Sequence, residues 1–411
     1  MKLPATITRI QQISIDLNAR FRQRWEVIEC MLASMLAGEL VLLLGPRGEA
    51  KTAIVEALAE YINGGQHFSV GLAKSSTPDD ILGGVDVVAL QAGTYRRNVN
   101  GFLPTATTFL LDEGFKSNNP TLQALLRVLS EREFQGVKIP ALFGAIASNE
   151  LPPELRGQKN GKSTDLGPFE DSLLAFFDRF FHKLEVLPLE AGSADWDNVI
   201  FGAVSETRNP KLFVTPAEIR DLQEAVKKVV IPESVQGSIR QLAISLADAK
   251  TNVHVSTRTW RKAIRVLQAH AMLAGRMEVK RSDLRWLEYA LWTTPDQKAV
   301  IRSAISSIGS PELKEALATE NKVAELFSAY KRQYLQNNQN GLVIMDSPVS
   351  NLSHVAAQEP FILALKTLGT ELLQMDTPDE DKAEVNRIMQ FIETCRKAVM
   401  ADMLQRLKAL S

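Results

Sequence analysis

The chain has 411 residues, more than one hydrophobic core ordinarily absorbs at ~100 to 200 residues per domain, so two or three domains are expected. Lys plus Arg total 47 against 48 for Asp plus Glu, a formal charge of −1, which excludes a chain-wide basic surface for tracking a phosphate backbone; any nucleic-acid surface would be local. Hydrophobic residues at 45% and charged residues at 23% are those of a folded globular chain, and the two cysteines, Cys30 and Cys395, are too few for a disulfide framework or a zinc cluster, which points to a reducing, cytoplasmic setting. The longest apolar stretch, residues 31–44, is broken by Gly38 and Glu39 and falls short of the ~20 residues of a bilayer span, so no membrane helix is expected. The first twelve residues lack the apolar run of a signal peptide and read as a mature start.

In chain order, Ile7, Ile10, Ile13, Leu17, Phe21 and Trp25 recur three or four apart, the spacing of a helical face. The apolar run 40–44 then predicts a strand buried on both sides, followed at once by a helix over 51–61. Further strands are predicted at 67–70, 108–112, 142–148 and 181–186, with helices such as 120–131 between them, an alternation that predicts a parallel α/β sheet. Two hairpins are predicted as insertions, 85–98 turning at Ala92-Gly93 and 132–139 turning at Gln135-Gly136. After a polar connector at 188–197 come helices at 216–229, 232–248, 257–273 and 282–292, closed by Thr293-Thr294-Pro295. The remaining third reads as helical. One face is made by Val323, Leu326, Phe327, Tyr330 and Tyr334, another by Ile388, Ile392, Cys395, Val399 and Met403, and residues 336–360 read as a long loop.

Gly45-Pro46-Arg47-Gly48-Glu49-Ala50-Lys51-Thr52 fits G-x-x-x-x-[AG]-K-[ST] between the first strand and its helix. Such a loop uses small residues so that backbone N–H groups close on phosphates, a Lys to reach the β and γ groups, and a hydroxyl for Mg²⁺. Gly45, Pro46, Gly48, Glu49, Ala50, Lys51 and Thr52 are therefore the candidate ATP-binding residues. Glu49 is out of character, since a carboxylate beside a phosphate repels it unless it points away. Phe109-Leu110-Leu111-Asp112-Glu113 ends a strand with two acids: Asp112 is the candidate to hold the metal's hydration shell with Thr52, and Glu113 to polarise water. Acids after a strand also read simply as a helix start offsetting its dipole. Asn149 follows the next strand, where its amide could orient water or the γ-phosphate. The five histidines, His67, His182, His254, His270 and His354, show no metal-ligand spacing and read as packed or surface residues.

In combination these pieces resemble the MoxR family of AAA+ ATPases, and most closely its RavA branch. The resemblance rests on Leu44-Gly45-Pro46 with Ala50-Lys51-Thr52, Ser76-Thr77-Pro78-Asp79-Asp80, Gly101-Phe102-Leu103-Pro104 and Leu111-Asp112-Glu113-Gly114-Phe115-Lys116. It continues through Glu131-Arg132-Glu133-Phe134, Ala147-Ser148-Asn149-Glu150-Leu151-Pro152, Asp178-Arg179-Phe180, Val255-Ser256-Thr257-Arg258 and Gly275-Arg276, and covers roughly residues 6–293. What it implies is an α/β P-loop fold, a five-stranded AAA+ nucleotide-binding domain over 1–190, a helical lid over 191–295 and an additional helical region over 296–411 available as a partner module. It further implies ATP with Mg²⁺, a homo-oligomeric ring, expected to be a hexamer, and hydrolysis that remodels a protein client. Arg179 stands at the family's arginine-finger position and Arg258 at its second sensor, and the two insertions are expected to face the pore. Such proteins commonly work with a von Willebrand A-domain protein; none is encoded here, and Asp346-Ser347-Pro348-Val349-Ser350 has Pro where that domain's metal site needs Ser, so the partner is expected in trans.

Three departures stand out. Residues 156–167 add a Gly/Lys-rich stretch, Gly114 replaces a usual apolar residue and is expected to loosen the turn after Glu113, and the region beyond Pro295 lacks the RavA branch's small β-rich module. Two rival functions remain beside the motor: a nucleotide-gated assembly scaffold, and a nucleic-acid translocase using Arg96, Arg97 and Lys159, which the near-zero charge disfavours.

Overall fold

The computed structural model describes residues 4–155, 168–189, 191–192, 194–201, 210–248, 251, 253–308, 318–320, 322–326, 348–374 and 382–408. Helix α1 (Ala5–Arg20) buries Ile7, Ile10, Ile13 and Leu17, the face its spacing predicts. Helix α2 (Trp25–Ala37) is buried on all sides over its second half and stops at Gly38, whose left-handed φ of 72° lets Glu39 N–H return to the Ser34 carbonyl at 2.8 Å. The chain then enters β1 (Leu40–Leu44), buried at every residue.

The five predicted strands form one sheet. With α3 (Lys51–Ala59), β2 (His67–Gly71), α4 (Asp79–Leu82), α5 (Val87–Gln91), β3 (Thr108–Asp112), α6 (Asn119–Glu131), β4 (Glu133–Phe134), β5 (Val137–Lys138), β6 (Phe143–Ser148), α7 (Pro168–Phe177) and β7 (Phe180–Glu185), the order is β2-β3-β6-β1-β7 and every pairing is parallel. Parallel pairing puts all five carboxyl ends on one edge, and the registers Leu44 with Ser148 and Asp112 with Ala147 bring three of them level. β6 sits between β1 and β3, and its Gly144 faces the ring of Phe109 so closely that a Cβ there would meet ring carbons at 2.1 to 2.6 Å.

The two insertions differ. Residues 132–139 do form a hairpin, β4 with β5, turning at Gln135 (φ 50°) and Gly136 (φ 82°), the paired left-handed geometry of a tight two-residue turn. Residues 85–98 do not. Val85 bridges Arg97, but between them Asp86 accepts the Ala89 N–H at 3.0 Å and caps the short helix α5 instead of letting the chain run extended.

Beyond the sheet come α8 (Ala194–Phe201), α9 (Pro216–Val226), α10 (Glu233–Ala247) and α11 (Thr257–Leu273), then a 3₁₀ segment at Arg281–Tyr289 where an α-helix is predicted, and α12 (Gln297–Ser306). α8 falls partly within the predicted connector. Lys183 on β7 donates to the carbonyls of Ala290 and Trp292 at 3.0 and 2.6 Å, tying the sheet to the end of the 3₁₀ segment.

The chain divides into two compact units, Met1–Arg302 and Ser303–Ser411. In the second, α13 (Pro348–Leu373) and α14 (Lys382–Lys408) share a core of Val323, Leu365, Leu372, Val385, Ile388, Ile392, Cys395 and Val399. Val323 and the 388–399 face therefore cover the same core. The predicted loop is corrected in part: residues 348–360 are helical, because Pro348 occupies the first helical position where its missing N–H costs nothing, while residues 336–347, like the 156–167 insertion, lie outside the described residues.

Gly144→Ala is expected to displace the Phe109 ring from a fully packed sheet face and cost about 1–3 kcal/mol of stability, measured by chemical denaturation. A loss under ~0.5 kcal/mol would show that the ring has room to move.

Candidate functional site

The edge formed by the carboxyl ends of β1, β6 and β3 carries the candidate residues. The loop leaving β1 begins at Gly45, where any side chain would strike the Val186 carbonyl at 2.1 Å; Gly45 N–H in turn donates to Ser148 O at 3.2 Å, fastening the loop to the end of β6. Gly48 takes a φ of 87° and Ala50 a φ of 61°, so the chain turns left-handed immediately before α3, at a steric cost for Ala50 that glycine would not bear.

Lys51 opens α3 and is only 6% exposed. Its Nζ donates to the carbonyls of Gly45 and Pro46, both at 2.7 Å, and reaches Asn149 Oδ1 at 3.4 Å. Burial lowers its pKa, opposed by the nearby Asp112, Glu113 and Glu49. One residue on, Thr52 Oγ1 donates to Asp112 Oδ2 at 3.1 Å, while Asp112 Oδ1 accepts the Glu113 N–H at 2.9 Å, so the Asp112 carboxylate is oriented from both sides. A hydroxyl and a carboxylate already paired in this way are a donor set that suits Mg²⁺.

Glu113 sits in the left-handed region at φ 55°. Its Oε1 accepts a hydrogen bond from Asn149 Nδ2 and its Oε2 pairs with Lys116 Nζ at 3.2 Å. The result is a continuous polar chain from Lys51 through Asn149 and Glu113 to Lys116. Gly114 does not loosen the turn: it is buried, and a Cβ at that position would meet Ile146 Cγ2 at 2.4 Å, so the small residue draws the turn against β6.

Glu49 is accounted for by a residue that the motif does not contain. Arg24, 7% exposed and placed just before α2, donates from Nη2 to Glu49 Oε2 at 3.1 Å and holds that carboxylate by charge. Nothing in the spacing of Arg24 from the loop signals this, since the two meet only through the packing of α2 under β1.

Arg179 and Arg258 stand elsewhere. Arg179 directly precedes β7, whose Phe180 pairs with Leu40, the first residue of β1, whereas the phosphate-loop sequence follows Leu44. The two ends of β1 are separated by about 13 Å at strand rise, so Arg179 lies at the opposite edge of the sheet from Lys51 and Thr52. Its Nε donates to Ser130 Oγ at 2.5 Å, and its carbonyl accepts from Lys262 Nζ at 3.2 Å; Lys262 also pairs with Glu39 at 2.8 Å. Burial, then the charge of Arg258, depresses the Arg179 pKa. Arg258, exposed at the start of α11, is thus a neighbour of Arg179 and not of the Lys51 set. Among the predicted site residues, the structure brings together Gly45, Pro46, Gly48, Glu49, Ala50, Lys51, Thr52, Asp112, Glu113 and Asn149, and separates from them a pair of arginines.

The family model of the MoxR domain in MoxR-vWA-beta-propeller ternary systems matches residues 8–224, over half of the chain. The chain belongs to the MoxR family of AAA+ ATPases. An AAA lid domain model matches residues 234–305 and so includes α11 with Arg258. Uncharacterized protein MJ0079 of Methanocaldococcus jannaschii is 28% identical over 398 residues, 94% of this chain and 97% of that protein. Structural protein ORF618 of Acidianus two-tailed virus is 23% identical over 329 residues, 72% of this chain and 50% of that protein. The crystal structure of a provisionally assigned ATPase from Cytophaga hutchinsonii superposes with a TM-score of 0.55 at 19% identity, over 74% of this chain and 94% of that one, a likeness of fold. Among the described residues of this MoxR protein, no helix is long and apolar enough to cross a membrane.

Because Arg24 neutralises Glu49 beside the phosphate loop, Arg24→Ala should leave an uncompensated carboxylate there and lower ATP affinity about tenfold, ~1.4 kcal/mol, by calorimetry. Adding Glu49→Ala should recover most of that loss. A double variant binding no better than Arg24→Ala would assign Arg24 to packing alone.

Proposed function

We propose that this MoxR chain hydrolyses ATP to ADP and phosphate as a subunit of a homo-oligomeric ring, taken as a hexamer, and uses the cycle to remodel or activate a protein client. The observation that supports the reading is a split arrangement: Lys51, Asn149 and Glu113 in one hydrogen-bonded chain beside the Thr52–Asp112 pair at one edge of the sheet, and two arginines at the other. The backbone of the 45–50 loop and Lys51 would hold the phosphates, and Thr52 with Asp112 would hold Mg²⁺. The bound ion would supply charge neutralisation on the phosphate oxygens. Glu113, released from Asn149 and Lys116, would accept the proton of the attacking water while Asn149 orients that water or the γ-phosphate.

With Arg179 and Arg258 set at the far edge of the sheet, the finger would come from a neighbouring subunit. In this reading Arg179 is the arginine finger and Arg258, beside it, crosses the same boundary, so that the lid residue senses the adjoining subunit's nucleotide instead of its own. Residues 1–190 are read as the nucleotide-binding domain, 191–295 as the lid and 296–411 as a partner module in the cytoplasm. The matched family's description supports a von Willebrand A-domain partner in trans; the finer placement near the RavA branch rests on motifs alone. The scaffold reading is weaker, because a scaffold has no use for Glu113 held in register with Asn149.

Glu113→Gln should retain ATP binding and lose roughly 100-fold or more in turnover, while Lys51→Ala should lose binding itself. Equal turnover in wild type and Glu113→Gln would remove the site assignment. Arg179→Ala should bind ATP without hydrolysing it, and mixing it with Glu113→Gln should regain part of the activity through composite sites; no gain despite proven subunit exchange would place Arg179's role within its own chain.

A further inference from the structure

A second group of chemistry-bearing side chains lies in the interior, away from the phosphate loop. Cys30 of α2, His182 of β7 and His270 of α11, which the sequence scatters, come together with one candidate ligand atom from each within 4.8 Å of the others. Cys30 and His182 are fully buried and His270 is 2% exposed. His182 Nδ1 lies 2.7 Å from Ser34 Oγ, leaving its Nε2 buried without a hydrogen-bond partner, and neither ring nitrogen of His270 has one. Most buried nitrogen atoms in proteins have a partner, and each neutral imidazole carries one lone-pair nitrogen, so the two rings beside the thiol can each offer one to a ligand that accepts lone pairs.

The surroundings match a metal centre in other respects. A metal-bound histidine characteristically has its second nitrogen in a hydrogen bond that fixes the ring, the arrangement of His182 with Ser34. The His270 ring is fixed instead by stacking on Trp286, with centroids 4.2 Å apart and planes within 3°, and stands at 76° to the His182 ring.

We propose that Cys30, His182 and His270 bind one zinc-class divalent transition-metal ion, through Cys30 Sγ and one ring nitrogen of each histidine, as a clamp joining α2, β7 and α11. On binding, Cys30 gives its thiol proton to solvent as the metal–sulfur bond forms, the imidazoles donate lone pairs, and no electron is transferred. Tetrahedral zinc places such atoms about 3.3 to 3.7 Å apart, so side-chain shifts of about 1 Å close the site. The clamp joins the strand that follows Arg179 to the helix that begins beside Arg258, and its occupancy would fix the relative positions of those two arginines.

The test uses the full chain without a histidine tag, stripped with a chelator and titrated with Co²⁺, Zn²⁺ or Cu⁺. The expected result is one Co²⁺ per chain with a thiolate-to-cobalt charge-transfer band in the near ultraviolet, its displacement by Zn²⁺, and a rise of about 5 °C in melting temperature with Zn²⁺. Cys30→Ser, which keeps the size of the side chain, and His270→Leu should each lose the band and the thermal shift. Absence of the band in wild type together with an unchanged melting temperature would overturn the proposal. Equal metal uptake by wild type and both variants would do the same by locating the metal elsewhere, and stoichiometric uptake of Cu⁺ alone would overturn the zinc-class assignment.

Discussion

Burying one cation organises the candidate site. Lys51 loses most of its contact with water, and its charge must then be met by oxygen atoms held at fixed positions. Two come from the carbonyls of Gly45 and Pro46, available only because the loop turns left-handed back over its own helix, and a third from Asn149 at the end of the neighbouring strand. Asn149 in turn spends its amide N–H on Glu113. One charge therefore sets the loop, the strand end and the carboxylate in a single network, and the close approaches at Gly45, Gly114 and Gly144 are the steric conditions under which those strands lie near enough to share it.

The opposite edge of the sheet follows a different logic. Arg179, Arg258 and Lys262 gather cations there, with Glu39 paired to Lys262 and Asp178 acting on Arg179. Like charges held together lower each other's hold on a proton and favour an anionic visitor. In the proposed ring, a phosphate presented by a second copy of the chain would meet that field, whereas the chain's own 45–50 loop lies a full strand away. The same edge is reached from inside by β7 and α11, which supply His182 and His270 to the interior cluster, so the placement of the arginines and the packing beneath them are mechanically linked.

In the second unit, Val323 and the 388–399 face meet across α13 and α14 in one largely apolar core.

Period and motif were enough for much of this. The three central strands β1, β3 and β6 are short, mainly apolar runs, and the loop, the two acids and Asn149 sit at their ends, so local pattern already assigns them to one edge of a parallel sheet. The helix α5 escaped because a single Asp86 carboxylate overrides an otherwise strand-like segment, and residues 348–360 escaped because Pro348 reads as a breaker yet serves as a helix start. Three relations were decided only by the tertiary structure: Arg24 against Glu49, Arg258 beside Arg179, and Cys30 with His182 and His270. Each joins residues far apart in the chain through the packing of α2 and α11 on the sheet. A sequence determines which residues can form an element, but the distance between side chains on different elements is set by how those elements pack, and no local spacing encodes it.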